Sequence, residues 1–432
     1  MKRLITFASL VLCTALHAEN WPQWRGPSLN GASNEKGLPS AYDKSGAAWV
    51  TPLPGKSGAT PVIWNDHVFL TSPDAQKNLL LIALNRKDGS VRWQQTVGVG
   101  DREQGRNNMA SPSPITDGKL VYALFATGDL AAFDFDGKPA WTRNLAKDFG
   151  KFSVMWIYGS SPVLHNGRLY VQVLQRDDPS GYAHAQDGKP TRDSYILAVN
   201  AKDGKDVWRH IRKTDSTKES QESYATPLPY QGKNGWELLI VGGDHVSGHK
   251  LTDGSEIWRA RLYEKRDDWY RIVTSPVAAD GLIYAAGPKG QPVVAFRDGG
   301  SGNVTESHVA WRFSEAPTDC PTPLHYDGKL FVLEGNMNRE RILSCLDPKT
   351  GAKKWSSMLP INDPIWGSPT AADGKLFFLS ERGTLLVVDA GAESKVLSRV
   401  DLEESPSRSS VAVSQKQVFV RTAKNLYCFG AK

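Results

Sequence analysis

Cysteine is scarce in this chain: four residues in 432, at Cys13, Cys320, Cys345 and Cys428. No two are adjacent, none forms a Cys-x-x-Cys pair, and no His-Glu-x-x-His stretch occurs. Zinc and c-type haem sites therefore have no sequence support. Long charge runs are also missing. The formal charge is +6, and no five like charges stand together. Without Lys2 and Arg3 the balance is 50 basic to 46 acidic residues, too even for a nucleic-acid binder. No apolar run approaches the ~18–20 residues of a membrane-spanning helix. The longest, Leu4 to Leu16, follows Lys2 and Arg3 and ends at Leu16-His17-Ala18. Residues 1–18 read as a secretory signal peptide, with the mature chain starting at Glu19. Leu12 stands before Cys13, where lipoprotein processing needs a small side chain, so no lipid anchor is expected. The expectation is an exported protein, periplasmic or secreted in a bacterium, with no transmembrane segment.

Tryptophan, by contrast, is abundant, with 14 residues. Five of them follow a glycine by four positions, each after a polar turn: Gly89–Trp93, Gly137–Trp141, Gly204–Trp208, Gly254–Trp258 and Gly351–Trp355. A second marker is Ser-Pro or Thr-Pro ahead of an apolar stretch. It occurs at Thr60, Ser113, Ser161, Thr226, Ser275, Thr322 and Ser368, with a degenerate eighth at Ser409-Ser410. The spacing, 41 to 65 residues, fits four short strands and their turns. Ser275 to Ala286 shows the local grammar: proline at strand entry, apolar residues, an Asp-Gly hairpin turn, then a second strand.

Internal repeats of this period imply an eight-bladed β-propeller of four-stranded antiparallel blades. Trp49, Trp93, Trp141, Trp208, Trp258, Trp311 and Trp355 are expected between adjacent blades, each burying roughly 150–250 Å². The last unit supplies only three strands. Residues 47–51, which include Trp49, are therefore expected to close the last blade as its fourth strand. Residues 19–432 read as one domain, with 19–46 as a leader. Blade five has an irregular turn at Arg297 to Asn303, blade seven lacks its tryptophan, and blade three carries a polar insertion from Arg176 to Ser194.

The segments Ala83 to Trp93, Ala198 to Trp208 and Cys345 to Trp355 resemble the pyrroloquinoline quinone (PQQ) repeat, Ala-x-Asp-x-x-Thr-Gly ending in tryptophan. That family includes quinoprotein alcohol dehydrogenases and BamB, a non-enzymatic propeller of outer-membrane barrel assembly. The leader Trp21-Pro22-Gln23-Trp24-Arg25-Gly26-Pro27 is similar to one seen on PQQ-like proteins of unassigned role. The resemblance spans about Trp21 to Phe429. It implies the fold more than an activity, because the repeated tryptophans are structural. The dehydrogenases carry adjacent bonded cysteines and longer inserts with calcium-binding carboxylates, and this chain matches neither.

Residues just ahead of each first strand are expected at the channel mouth: Lys56, Arg106, Asn107, Trp156, Tyr158, Glu222, Tyr224, Tyr270, Arg271, Asp319, Trp366 and Arg408. They form either a ligand or peptide face or a simple cap on the blade ends. Glu222 and Asp319 are weighed as an acid/base pair. Asp177, Asp178, His184 and Asp187 are weighed as a cation loop, and His245 with His249 as a metal pair. No catalytic residue or metal site is assigned, and pairing of Cys320 with Cys345 is left open. The function expected is a monomeric, non-catalytic propeller binding a protein or other polymer in the cell envelope, with no cofactor. The alternatives are an oxidoreductase using PQQ with calcium and a carbohydrate-binding propeller.

Overall fold

The computed structural model describes residues 19–315, 318–334, 341–391, 393 and 395–430. Residues 1–18, read above as a signal peptide, and with them Cys13, lie outside the described residues. Eight blades, each with four antiparallel strands, surround a central channel, as the repeat predicted. The first blade illustrates them all: strands Val62–Trp64, His67–Pro73, Asn78–Asn85 and Val91–Val99, ordered from the channel outwards. The middle strands are buried on both faces, because each blade is covered by a neighbour on either side. The outer strand alternates between exposed and half-buried positions, as an edge should.

Ring closure follows the expected route. Strand Ala47–Pro52 pairs antiparallel with Asn425–Phe429, completing the blade formed by Ala412–Ser414, Gln417–Arg421 and Asn425–Phe429. The ring thus has no free inner edge to offer another chain.

The tryptophans join blades through a specific contact. The indole N–H of Trp49 donates to Arg86 O, Trp93 to Phe135 O, Trp141 to Ala201 O, Trp208 to Leu251 O, Trp311 to Pro348 O and Trp355 to Gly391 O, at 2.8 to 3.1 Å. Each acceptor lies in the polar turn of the following blade. For five of the six, all but Trp355, the turn glycine of that blade lies against the same ring, Gly351 against Trp311 for example. Glycine and tryptophan of one sequence motif therefore serve two different interfaces: the glycine receives the preceding blade, and the tryptophan reaches the next.

Two interfaces depart from this pattern, both where the repeat decays. Trp258 is buried but donates within its own blade, to Glu237 Oε2 at 2.8 Å. The irregular turn of blade five offers no matching carbonyl. Its Gly302–Asn303 instead pairs in parallel with Trp258 and Arg259 as a fifth strand. In blade seven, Ser398 pairs with Val387 where a tryptophan would stand. Tyr42 from the leader fills the gap, its ring edge-on to Phe377 at 6.1 Å and Phe429 at 5.7 Å. Its backbone is tied to Ser398 Oγ.

Candidate functional site

The Ser/Thr-Pro markers form a closed ring around the channel. The amide of each marker residue donates to the hydroxyl of the next. Thr60 donates to Ser113, Ser113 to Ser161, Ser161 to Thr226, Thr226 to Ser275, Ser275 to Thr322, Thr322 to Ser368, Ser368 to Ser410, and Ser410 back to Thr60, at 2.8 to 3.3 Å. In seven of the eight, all but Ser410, the proline next in sequence presents no amide of its own to compete for the hydroxyl. Each hydroxyl that accepts an amide keeps its proton for a further acceptor.

The leader closes one end of this ring. Trp21 exchanges backbone hydrogen bonds with Ile63, Pro22 O accepts from Thr116, and Gly31 and Ser33 bracket Ala371. The buried Arg25 guanidinium donates to Pro323 O at 2.7 Å and Pro369 O at 3.2 Å. Residues 21–33 thus bind inner strands of blades one, two, six and seven, and the half-buried Trp24 side chain forms the floor of the cavity above.

That cavity, about 190 Å³, is walled by six of the ring hydroxyl residues together with Arg106, Asn107, Trp156, Tyr224, Arg271, Trp366 and Arg408. Arg106 sits at the tip of a small hairpin, Glu103–Gln104 with Asn107–Asn108, between blades one and two. Its guanidinium lies 3.5 Å from the centroid of the Trp366 ring, across the mouth. Gly105 lies against the Trp156 ring, and Arg408 donates to Arg106 O at 3.0 Å. The hairpin tip therefore roofs part of the opening. Trp156 donates to Glu219 Oε1 at 2.7 Å. Arg271 approaches Glu219 at 3.7 Å and Asp319 at 3.3 Å, while Arg408 holds Glu381 at 2.7 Å. Burial works against the Arg271 charge, and Asp319 with Glu219 more than offsets it. Burial likewise opposes the ionisation of Glu381, yet Trp366 and Arg408 hold its carboxyl below the ordinary value. Cys320 also lines the cavity, and burial pushes its thiol up to about 12, so it stays protonated.

Seven of the residues expected at the mouth thus share one cavity, and the others lie elsewhere. Tyr158 is buried behind the wall, its ring tilted against Phe152 and its hydroxyl donating to Gln172 O. Tyr270 packs against Tyr263 and accepts from Gln291. Lys56 is exposed and paired with Glu103. Glu222 is fully buried, accepting from Tyr182 at 2.6 Å, Tyr224 at 2.7 Å and the Met155 amide at 2.9 Å. Asp319 meets Arg271 instead, so the two carboxylates considered as an acid/base pair keep separate company.

The blade-three insertion is mostly exposed and is anchored through buried Tyr182 and Arg192. Asp178 caps Ser180, Asp187 pairs with Arg192, and His184 faces Val154 O, so they form no cation loop. His245 bonds Gly243 O, while His249 bonds Ser247 and Gly254 O. Among the described residues no His/Cys/Asp/Glu group could hold a metal ion. Cys320, Cys345 and Cys428 are all free thiols. No helix among the described residues is long and apolar enough to cross a membrane.

Sequence reasoning missed Trp24, Glu219, Glu381 and the hydroxyl ring. Only the ring left a trace, the recurring Ser/Thr-Pro, whose geometric meaning appears when the eight units are assembled.

The fold and this cavity can be set beside known proteins. The chain resembles the outer membrane protein assembly factor BamB of Moranella endobia, 31% identical over 134 residues. That match spans 30% of this chain and only 27% of the relative's length. Among solved structures, BamB from Moraxella catarrhalis superposes with a TM-score of 0.60 at 13% identity, covering 89% of this chain and 96% of its own. A europium-containing methanol dehydrogenase superposes with a TM-score of 0.69 at 11% identity, covering 96% and 98%. At such identities these likenesses show the fold alone. The family profile described as outer membrane protein assembly factor BamB, built on PQQ-type repeats, matches residues 33–176, 154–357 and 338–431. Matched over nearly its whole described length, the chain belongs to that family of propellers.

Proposed function

We propose that this chain is an exported, non-catalytic propeller that binds a protein partner in the cell envelope through the open mouth of its channel. The family it belongs to is described as an outer-membrane protein assembly factor, which supports this reading. The observation that carries it is the asymmetry of the channel. One end is sealed by the leader, and the other presents arginine and tryptophan side chains of a kind enriched at binding hot spots.

A PQQ–calcium pair does not fit the donors of this cavity. Calcium takes 6–8 oxygen ligands, usually including several carboxylates. Here Glu219, Asp319 and Glu381 face arginines, and Glu222 is enclosed by tyrosines.

The test is site-specific photo-crosslinking in the native envelope. A crosslinking residue replacing the exposed Gln104, on the mouth hairpin, should capture a discrete partner. One replacing the exposed Ser28, on the sealed side, should not. Equal capture from both sides, or quinone absorbance with calcium-dependent alcohol oxidation by the purified protein, would overturn the reading.

A further inference from the structure

We propose that the channel cavity is a carboxylate-binding site that takes the free C-terminus of a partner chain end-on. This rests on the reading of the mouth as the partner-binding face and names the chemistry recognised there.

Arg106, Arg271 and Arg408 are the three charged side chains in the cavity wall, and no aspartate or glutamate lines it. The carboxylates that balance Arg271 and Arg408, namely Glu219 and Asp319 for the first and Glu381 for the second, contact the guanidinium groups from outside the lining. A guanidinium has five N–H donors. Arg271 turns Nε and Nη2 toward carboxylates and has its Nη1 donors over, and Arg408 gives Nε and Nη2 to Glu381 and one Nη1 hydrogen to Arg106 O, which leaves two of its five. Below the arginines, Ser113, Ser161, Thr226, Thr322, Ser368 and Ser410 each use an oxygen lone pair on a neighbouring amide and keep an O–H proton. The cavity therefore offers cations and hydroxyl donors, which suits an anion with two acceptor oxygens.

Shape selects among anions. Trp24, held by the leader, adds its ring to the lining, and the end of a chain is the part of a polymer that a cavity of this size can take. About 190 Å³ is small beside the ~300–1,000 Å³ of pockets that enclose whole drug-sized ligands. It suits a terminal residue rather than a complete cofactor. Trp156, Tyr224, Val273 and Trp366 supply apolar wall for the final side chain, and capture of a C-terminal carboxylate is an established mode of peptide recognition.

The experiment titrates the mature chain, residues 19–432, with tetrapeptides ending in an apolar residue. They are used as free acids and as C-terminal amides, beside succinate and PQQ with calcium. The free acids should bind, amidation should weaken binding at least tenfold, and succinate should compete more weakly than the peptides. Arg271→Gln and Arg408→Gln should each lower affinity at least tenfold with an unchanged melting profile. Arg271→Lys, which keeps the charge, should recover part of the loss. Lys353→Gln, far out on a blade edge, should have no effect. Equal binding of acid and amide, or affinity unaffected in folded Arg271→Gln and Arg408→Gln, would overturn the site. Succinate binding more tightly than every peptide would identify a free acid as the ligand and overturn the C-terminus assignment, as would calcium-dependent PQQ binding. If the peptides fail while the Gln104 crosslink still captures its partner, this inference falls and the proposed function stands.

Discussion

Gly351 and Gly374 share the same backbone conformation, φ +71°, but not the same surroundings. A Cβ at Gly374 would meet nothing within 4 Å, whereas one at Gly351 would come within 2.6 Å of the Trp311 ring. Gly374→Ala should therefore cost only the left-handed backbone penalty, about 1–2 kcal/mol. Gly351→Ala should cost that amount plus the displacement of an indole from its seat, about 1–3 kcal/mol more by the usual scale of overpacking. Urea denaturation of the two variants compares them directly, and equal losses would mean that the indole seat contributes little to stability. The Gly–Trp repeat was legible because its members stand four apart in sequence. Its division of labour was not: Gly351 contacts Trp311, forty residues upstream, rather than Trp355 in its own motif. Only the register of neighbouring blades reveals that pairing.

A whole turn of the channel wall depends on the Ser/Thr-Pro segments acting together. Removing the hydroxyl of Ser161 leaves the buried Ser113 amide without its acceptor, which costs about 1–3 kcal/mol. Ser161→Ala should show that loss in thermal unfolding, with faster hydrogen exchange at the Ser113 amide. Ser161→Thr keeps the oxygen and should restore both, as Thr60, Thr226 and Thr322 occupy the same role in the native ring. Failure of threonine to restore protection would show that the ring is held by blade packing alone. At this scale the sequence carried the strands and the eighth, degenerate unit well. It carried the cavity only in part. Arg106, Trp156 and Trp366 were legible because they precede first strands at repeat-related positions. Glu219 and Glu381 were not, since their importance comes from the arginines they face across blade boundaries.

At the scale of the molecule, the first described segment performs three jobs in succession, and the first can be separated from the last. Residues 21–33 seal the channel base, Tyr42 fills the interface left without a tryptophan, and Ala47–Pro52 completes the last blade. Deleting residues 19–38 removes the floor but keeps Tyr42 and the closing strand. The ring should stay assembled, with the Thr60 to Ser410 amides exchanging faster and the channel open at both ends. It also removes Arg25 and its contacts to Pro323 O and Pro369 O. Deleting residues 19–52 goes further. It removes a whole edge strand and the Trp49 indole, which alone withdraws roughly 150–250 Å² from water, on the order of 4–6 kcal/mol before entropy is counted. It also leaves Asn425–Phe429 as an open edge, free to pair with another molecule. The shorter deletion should therefore remain monomeric with a modest fall in melting temperature, while the longer one should melt far lower and self-associate. Calorimetry with light scattering on the two chains measures both effects. If they behave alike, closure resides in the plug rather than in the strand, and the ring is held from its base instead of its rim.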